Sequence, residues 1–134
     1  YVFDSGSTDY GVYYSWYAAT AGAGMQSQTG DTSTSVCPKG WRLPKGGSSG
    51  EFQSLYNKYN SASAMMDTNG PNFKLAGNRS GSSTSNASTN GYYWSSTAYD
   101  SYRAYYLDLN SSSVDPADYS TKYHGLAVRC IDVN

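Results

Sequence analysis

Histidine occurs once, cysteine twice and proline four times in these 134 residues, and only 14% of the chain is charged. Each shortage removes a class of function. One histidine and two distant cysteines do not supply the converging ligands of a zinc site. Nine basic residues, scattered along a chain of net charge −1, leave no electrostatic footprint for nucleic acid or anionic lipid. No stretch approaches the roughly 20 apolar residues that span a bilayer, so this piece is not expected to insert into a membrane. The chain opens at Tyr1 with neither a charged n-region nor an apolar h-region. It therefore reads as a mature or trimmed domain from which a signal peptide, anchor or stalk has been removed upstream.

Catalytic templates are missing as well. His124 lies in a turn of Tyr, Ser, Lys and Gly with no motif around it, and reads as a solvated loop residue. There is no Gly-x-Ser-x-Gly elbow, and Cys37, placed before Pro38, has no nucleophile signature beside it. The run GGSSGE (46–51) lacks both the P-loop lysine and the dinucleotide spacing. The chain is therefore expected to be no enzyme and to need no cofactor. Calcium is the one metal worth weighing, because Asp108, Asp115 and Asp118 could approach one another in the loops with carbonyls completing the shell. Read as ordinary loop and turn aspartates, the favoured reading, they need no ion.

What is present is tyrosine (15), glycine (14) and serine, on a chain that is still 38% hydrophobic and 16% aromatic. That much aromatic surface can be buried, so the composition is that of a folded chain, and the length fits a single domain over 1–134. Cys37 and Cys130 each sit beside apolar residues. A bridge between them would tie the first third to the last strand and suits an extracellular setting; two buried thiols are the alternative. The Asn-x-Ser sequons at Asn78, Asn86 and Asn110 matter only in a glycosylating host.

Along the chain, residues 10–19 (YGVYYSWYAA) predict an early strand, closed by the Gly-containing stretch 21–24, and residues 26–35 predict a loop. Residues 36–44 (VCPKGWRLP) should be irregular and well packed. Ser48 with Glu51 predicts a capping box, followed by an amphipathic helix carrying Phe52, Leu55, Tyr56 and Tyr59. Met65 and Met66 extend an apolar face until Asn69, Gly70 and Pro71 stop it. Residues 73–76 (FKLA) predict a short strand and 78–90 a surface loop. Strands are expected at 92–97, 103–109 and 125–131, with turns between them. Tyr105, Leu107 and Leu109 should share one face, Tyr106 and Asp108 the other.

Between Asn78 and His124 the residue types are those of an adaptable binding surface. Tyrosine gives rigid contact area with a polar tip, and Ser and Asn give flexible hydrogen bonding. AYDSYRAYY (98–106) and SVDPADYSTKYHG (113–125) concentrate them.

WYAATAG (16–22), CPKGWRLP (37–44), the helix after it, FKLAGNR (73–79), GYYWSST (91–97) and GLAVRC (125–130) together resemble the Fibrobacter succinogenes major paralogous domain. This family of bacterial surface and secreted domains is related to the C-type-lectin and formylglycine-generating-enzyme folds. The resemblance covers roughly residues 10–132. It implies an α+β, C-type-lectin-like domain of antiparallel sheets with one or two helices, paired N- and C-terminal segments, and a bridge between Cys37 and Cys130. Neither the catalytic cysteine pair of the enzymatic relatives nor the Glu-Pro-Asn and Trp-Asn-Asp triplets of calcium-dependent sugar binding are present.

Some C-type-lectin-like domains are variable proteins of diversity-generating retroelements, in which adenine-directed mutagenesis scatters Tyr, Asn, Asp, Ser, Thr and His over a fixed scaffold. The C-terminal part of this chain looks like such a region. The expected ligand-binding positions are Asn78, Ser80, Asp100, Tyr102, Tyr106, Asn110, Ser112, Asp115, Asp118, Tyr119, Ser120, Tyr123 and His124. The function this implies is an extracellular, surface-displayed or secreted adhesin or receptor-binding domain that holds a protein or glycan ligand. The alternative is a structural module of a pilus-like or cell-surface assembly.

Overall fold

The fold comes from a computed structural model that describes residues 2–4, 11–22 and 30–133, with the side chains of 2–4 left aside. Residues 10, 23, 24 and 26–29 of the first expected strand, the stretch after it and the following loop lie outside the described residues. The chain is α+β with mostly antiparallel pairing. Strand β1 (Val2–Asp4) pairs with β2 (Val12–Tyr14), and helix α1 (Trp16–Ala19) follows at once. Then come β3 (Gly30–Asp31), β4 (Trp41–Arg42), helices α2 (Glu51–Tyr59) and α3 (Ala62–Met66), and the hairpin β5 (Asn78–Ser80) with β6 (Ser83–Ser85). Three long strands follow, β7 (Asn90–Ala98), β8 (Arg103–Asn110) and β9 (Val114–Thr121), before the short β10 (Ile131–Asp132). The main sheet runs β3-β7-β8-β9, and β10 pairs with β4.

The single strand expected over 10–19 is instead a three-residue strand and a helix. Ser15 makes the break: its hydroxyl accepts from the Ala18 N–H at 3.2 Å, an N-cap that turns the chain into α1. The expected capping box does not form either. Helix α2 begins at Glu51, so the N-cap is Gly50, which has no side chain to supply a cap, and Ser48 lies outside the helix; Glu51 is engaged elsewhere. Its carboxylate takes the Arg42 guanidinium on both oxygens at 2.6 Å and the Lys45 N–H at 2.8 Å. A side chain at Gly50 would strike the Gly46 carbonyl oxygen. Left-handed Asn60 (φ 58) ends α2, and Ser61 caps α3 as a separate helix.

Residues 73–76 are no strand. The Lys74 backbone is satisfied by a side chain instead of a ladder: the Tyr93 hydroxyl accepts from the Lys74 N–H (2.9 Å) and donates to its carbonyl (2.7 Å). Gly77 then turns at φ 76 with backbone from Ser85 and Ala87 so close that only glycine fits. Residues 78–90 lie on the surface as expected, but as the β5–β6 hairpin rather than a plain loop. Gly30–Asp31, expected in a loop, joins the edge of the main sheet. Residues 125–131 are not one strand. Gly125, Leu126 and Ala127 each bridge a different partner (Arg79, Tyr14 and Tyr93), and only Ile131–Asp132 forms a strand. Residues 114–121, expected as turns, form the edge strand β9.

Buried clusters flank the sheet. On one side Phe52, Met65 and Phe73 pack on Tyr93, Leu107 and Leu109. On the other, Trp16, Leu43 and Leu126 pack on Trp94, Ala98 and Ala104. A bulge in β7 sets residues 95–97 against Tyr105 alone. The Ser95 hydroxyl donates to the Tyr105 carbonyl (2.7 Å), and the Ser95 carbonyl accepts the Trp16 indole N–H (2.8 Å). Lys122 is fully buried with its ammonium 4.6 Å from the Trp16 ring, donating to the Ser101 carbonyl at 3.2 Å. Burial lowers its pKa, and the Asp100 carboxylate works against that shift.

The expected Cys37–Cys130 disulfide is formed. With the β4–β10 pair and the Tyr14–Leu126 bridge it joins the early part of the chain to the late part. No helix among the described residues is long and apolar enough to cross a membrane.

Candidate functional site

Strand alternation sorts the expected residues between the two faces of the main sheet. On β8, Ala104, Tyr106, Asp108 and Asn110 point one way and Arg103, Tyr105, Leu107 and Leu109 the other. Register carries the first row across the sheet. Tyr92 stands opposite Asp108 and Trp94 opposite Tyr106 on β7; Asp115 stands opposite Asp108, Asp118 opposite Tyr106 and Ser120 opposite Ala104 on β9.

Beyond the buried Trp94 and Ala104, this face is polar and aromatic. The Tyr106 ring meets Tyr92 at 5.7 Å and Trp94 at 6.1 Å, both edge to face, and its hydroxyl donates to Asp118 Oδ2 at 3.0 Å. The β5–β6 hairpin closes one border. Asn86 Nδ2 lies 3.3 Å from both Asn78 Oδ1 and the Tyr92 hydroxyl. On β9 the Ser120 hydroxyl lies 2.8 Å from His124 Nδ1. The face thus brings together Asn78, Tyr106, Asp115, Asp118, Ser120 and His124 of the expected set.

Other expected residues stand apart. Asn110 accepts from the Ser112 and Ser113 N–H groups (both 2.9 Å) and from the Ser112 hydroxyl, building the β8–β9 turn together with Ser112. Asp100 does the same for the β7–β8 turn and pairs with Arg103 at 2.6 Å. That Arg103 bond, with the two N–H bonds, holds the Asp100 carboxyl down at about 2. Ser80 is exposed on the hairpin. Tyr119 lies on the opposite face, stacked on Tyr99 with ring centres 4.0 Å apart and Arg103 5.1 Å from its own. Tyr102 (73% exposed) and Tyr123 (62%) stand out at the sheet's end, Tyr123 leaning on Tyr17 at 5.2 Å.

Sequence reasoning missed Tyr92, Asn86 and Asn90 as members of the face. Period-two alternation through GYYWSST would have found Tyr92, since it shares a face with Trp94.

The carboxylates on this face lie in strands rather than loops. Burial raises the Asp108 pKa above the usual carboxylate range; a hydrogen bond from Asn90 lowers it in part, and the charges of Asp118 and Asp115 add to the rise. Burial, then Asp118, also pushes up the Tyr106 phenol. Among the described residues no group of three or more His, Cys, Asp or Glu is placed to hold a metal ion, so Asp108, Asp115 and Asp118 together form no calcium cage.

The folded chain therefore binds the Asp108 proton more tightly than the unfolded chain. The contribution of this group to stability falls as pH rises from the ordinary carboxylate range through the raised value. Glu51, lowered chiefly by its bond to Arg42, has the opposite sign: its contribution is lost as pH falls through its depressed value. The expected result of Asp118→Asn is a lower Asp108 midpoint in a carboxyl NMR titration. An unchanged midpoint would mean that the two charges do not interact across the strands.

Comparison with known proteins found no matching family, no similar curated protein and no similar solved structure.

Proposed function

We propose that this chain is a C-type-lectin-like binding domain, secreted or displayed on a bacterial cell surface, that holds a protein or glycan ligand on the Tyr106 face without covalent chemistry. The observation that carries this reading is the gathering of Tyr92, Tyr106, Asp108, Asp118, Asn78 and Asn86 on one partly open sheet face. Tyrosines braced edge to face offer rigid area, and the surrounding carboxylates and amides offer hydrogen bonds. The disulfide is in keeping with an oxidising, extracellular setting. Nucleic acid and membrane are not the partners in this reading, because no basic cluster was found in the sequence.

Diversification by a retroelement is the finer form of this proposal, with the varied positions on the same face. Asn78, Tyr106, Asp115, Asp118, Ser120 and His124 would vary over the fixed Trp16, Trp94 and Leu107 core. Deep sequencing of the gene across a natural population of the source cells is expected to place substitutions at these six positions, at codons with template adenines. Uniform invariance there would remove the retroelement, and a fixed ligand would become the working case.

The exposed Tyr102 and Tyr123 at the sheet's end favour a second reading, a module of a cell-surface assembly whose tyrosines meet a neighbouring subunit. Sedimentation separates the two: a receptor binder stays monomeric, and a structural module self-associates.

A further inference from the structure

The other side of the sheet carries a groove that shares no residue with the Tyr106 face. It runs between α2, the turn at 69–71 and the chain at 129–131, and has a volume of about 520 Å³. Its floor is aromatic: Phe52 and Phe73, 1% and 3% exposed, meet edge to face with ring centres 6.4 Å apart. Leu55 and Tyr59 stand half-buried along the α2 side, although they are among the most apolar residues of that helix.

The walls are fixed before any ligand arrives. Cys130 is tied to Cys37, and β10 is paired with β4. Arg42 of β4 in turn grips Glu51 at the start of α2 through two 2.6 Å bonds. A groove held in this way loses little conformational freedom on binding.

Charge selects the occupant. Among the described residues Glu51 is the one carboxylate lining the groove, and Arg42 neutralises it. Lys58 and Arg129 line the same groove with their cations 5.6 Å from the Tyr59 ring centre and 5.0 Å from that of Phe73. The rim is thus locally positive on a chain of net charge −1. We infer that this groove binds a small molecule with a flat apolar body and an anionic group. The body rests on Leu55, Tyr59 and Ile131 above the buried Phe52 and Phe73, and the anion reaches Arg129 and Lys58. The volume lies within the range of about 300 to 1,000 Å³ of small-molecule sites.

The test uses 1-anilinonaphthalene-8-sulfonate, which has both features, with the folded, disulfide-intact protein. Fluorescence titration is expected to saturate at one site, with amide shifts in a nitrogen–proton NMR spectrum centred on Leu55, Tyr59, Gly70 and Ile131. Arg129→Gln and Lys58→Gln should each weaken binding by roughly threefold to tenfold, as expected for losing one partly exposed charge contact. Leu55→Trp should fill the groove and abolish binding; if it does not fold, the two glutamine variants decide. N-phenyl-1-naphthylamine, the same body without the sulfonate, should bind more weakly by a comparable factor. Non-saturating fluorescence, shifts centred on the Tyr92 and Tyr106 face, or equal binding of the neutral compound would each overturn the inference.

Discussion

Replacing both Cys37 and Cys130 with alanine is expected to lower stability by about 4 to 5 kcal/mol, from the entropy of opening so long a loop in the unfolded chain. The bond spans a sequence separation of 93 residues. The native contacts between the early and late parts of the chain persist without it: β4 pairs with β10, Tyr14 and Leu126 exchange two backbone hydrogen bonds, and the Trp16 N–H donates to the Lys122 carbonyl. For a domain of this size the loss corresponds to a fall in melting temperature of roughly 10 to 20 °C. Calorimetry of the wild type with and without reductant, beside the double alanine variant, checks this. Reductant and substitution should give the same shift; a change of only a few degrees would mean that the reduced, unfolded chain is already restricted over this loop.

The second large effect is expected at Trp16. Trp16→Ala should cost about 3 to 5 kcal/mol, the usual range for emptying a large aromatic site. Its ring is fully buried, and its loss opens space beneath Trp94 and Leu126 and beside the buried Lys122 ammonium. Trp16→Phe separates volume from hydrogen bonding. Most of the packing survives, but the Ser95 carbonyl loses the donor that the β7 bulge had freed it to accept, a penalty of about 1 to 3 kcal/mol. Urea denaturation of the two variants gives both figures. If Trp16→Phe were neutral, water would be reaching the Ser95 carbonyl.

How much of this was legible in the sequence depends on how local the signal was. Helix α2 followed from apolar spacing, and the face assignment of Leu107 and Leu109 followed from alternation. The disulfide was favoured by the extracellular-looking composition, with two buried thiols left as the alternative, because spacing alone does not decide between them. β9 was hidden by Pro116 and the aspartates around it, which read as turn residues. An edge strand tolerates proline because one side of its ladder has no partner, and a bulge between its Asp115 and Asp118 pairings absorbs the irregularity.

The opposite error occurred at 73–76 and 125–131. Their β-forming residues are buried by neighbours from distant parts of the chain, and a Tyr93 hydroxyl or single bridges replace the ladder. Only tertiary contacts could reveal that. At the candidate site, composition singled out residues 78–124 but could not separate Tyr106 and Asp118, which share a face, from Asn110 and Asp100, whose side chains build turns. Loop chemistry and ligand chemistry draw on the same residue types.

The long covalent ring closed by Cys37 and Cys130 also sets the path that mechanical load takes. Tension applied at residues 1 and 134 crosses from one strand end to the other through the sulfur–sulfur bond. Everything between the two cysteines is bypassed, including the β5–β6 hairpin, β7, β8 and β9. Under shear such a chain can pay out only what lies outside the ring, chiefly the segment before Cys37, while the ring keeps its length; because that segment carries Trp16 and β3, the sheet loses one side of its core and one edge before the ring itself is loaded.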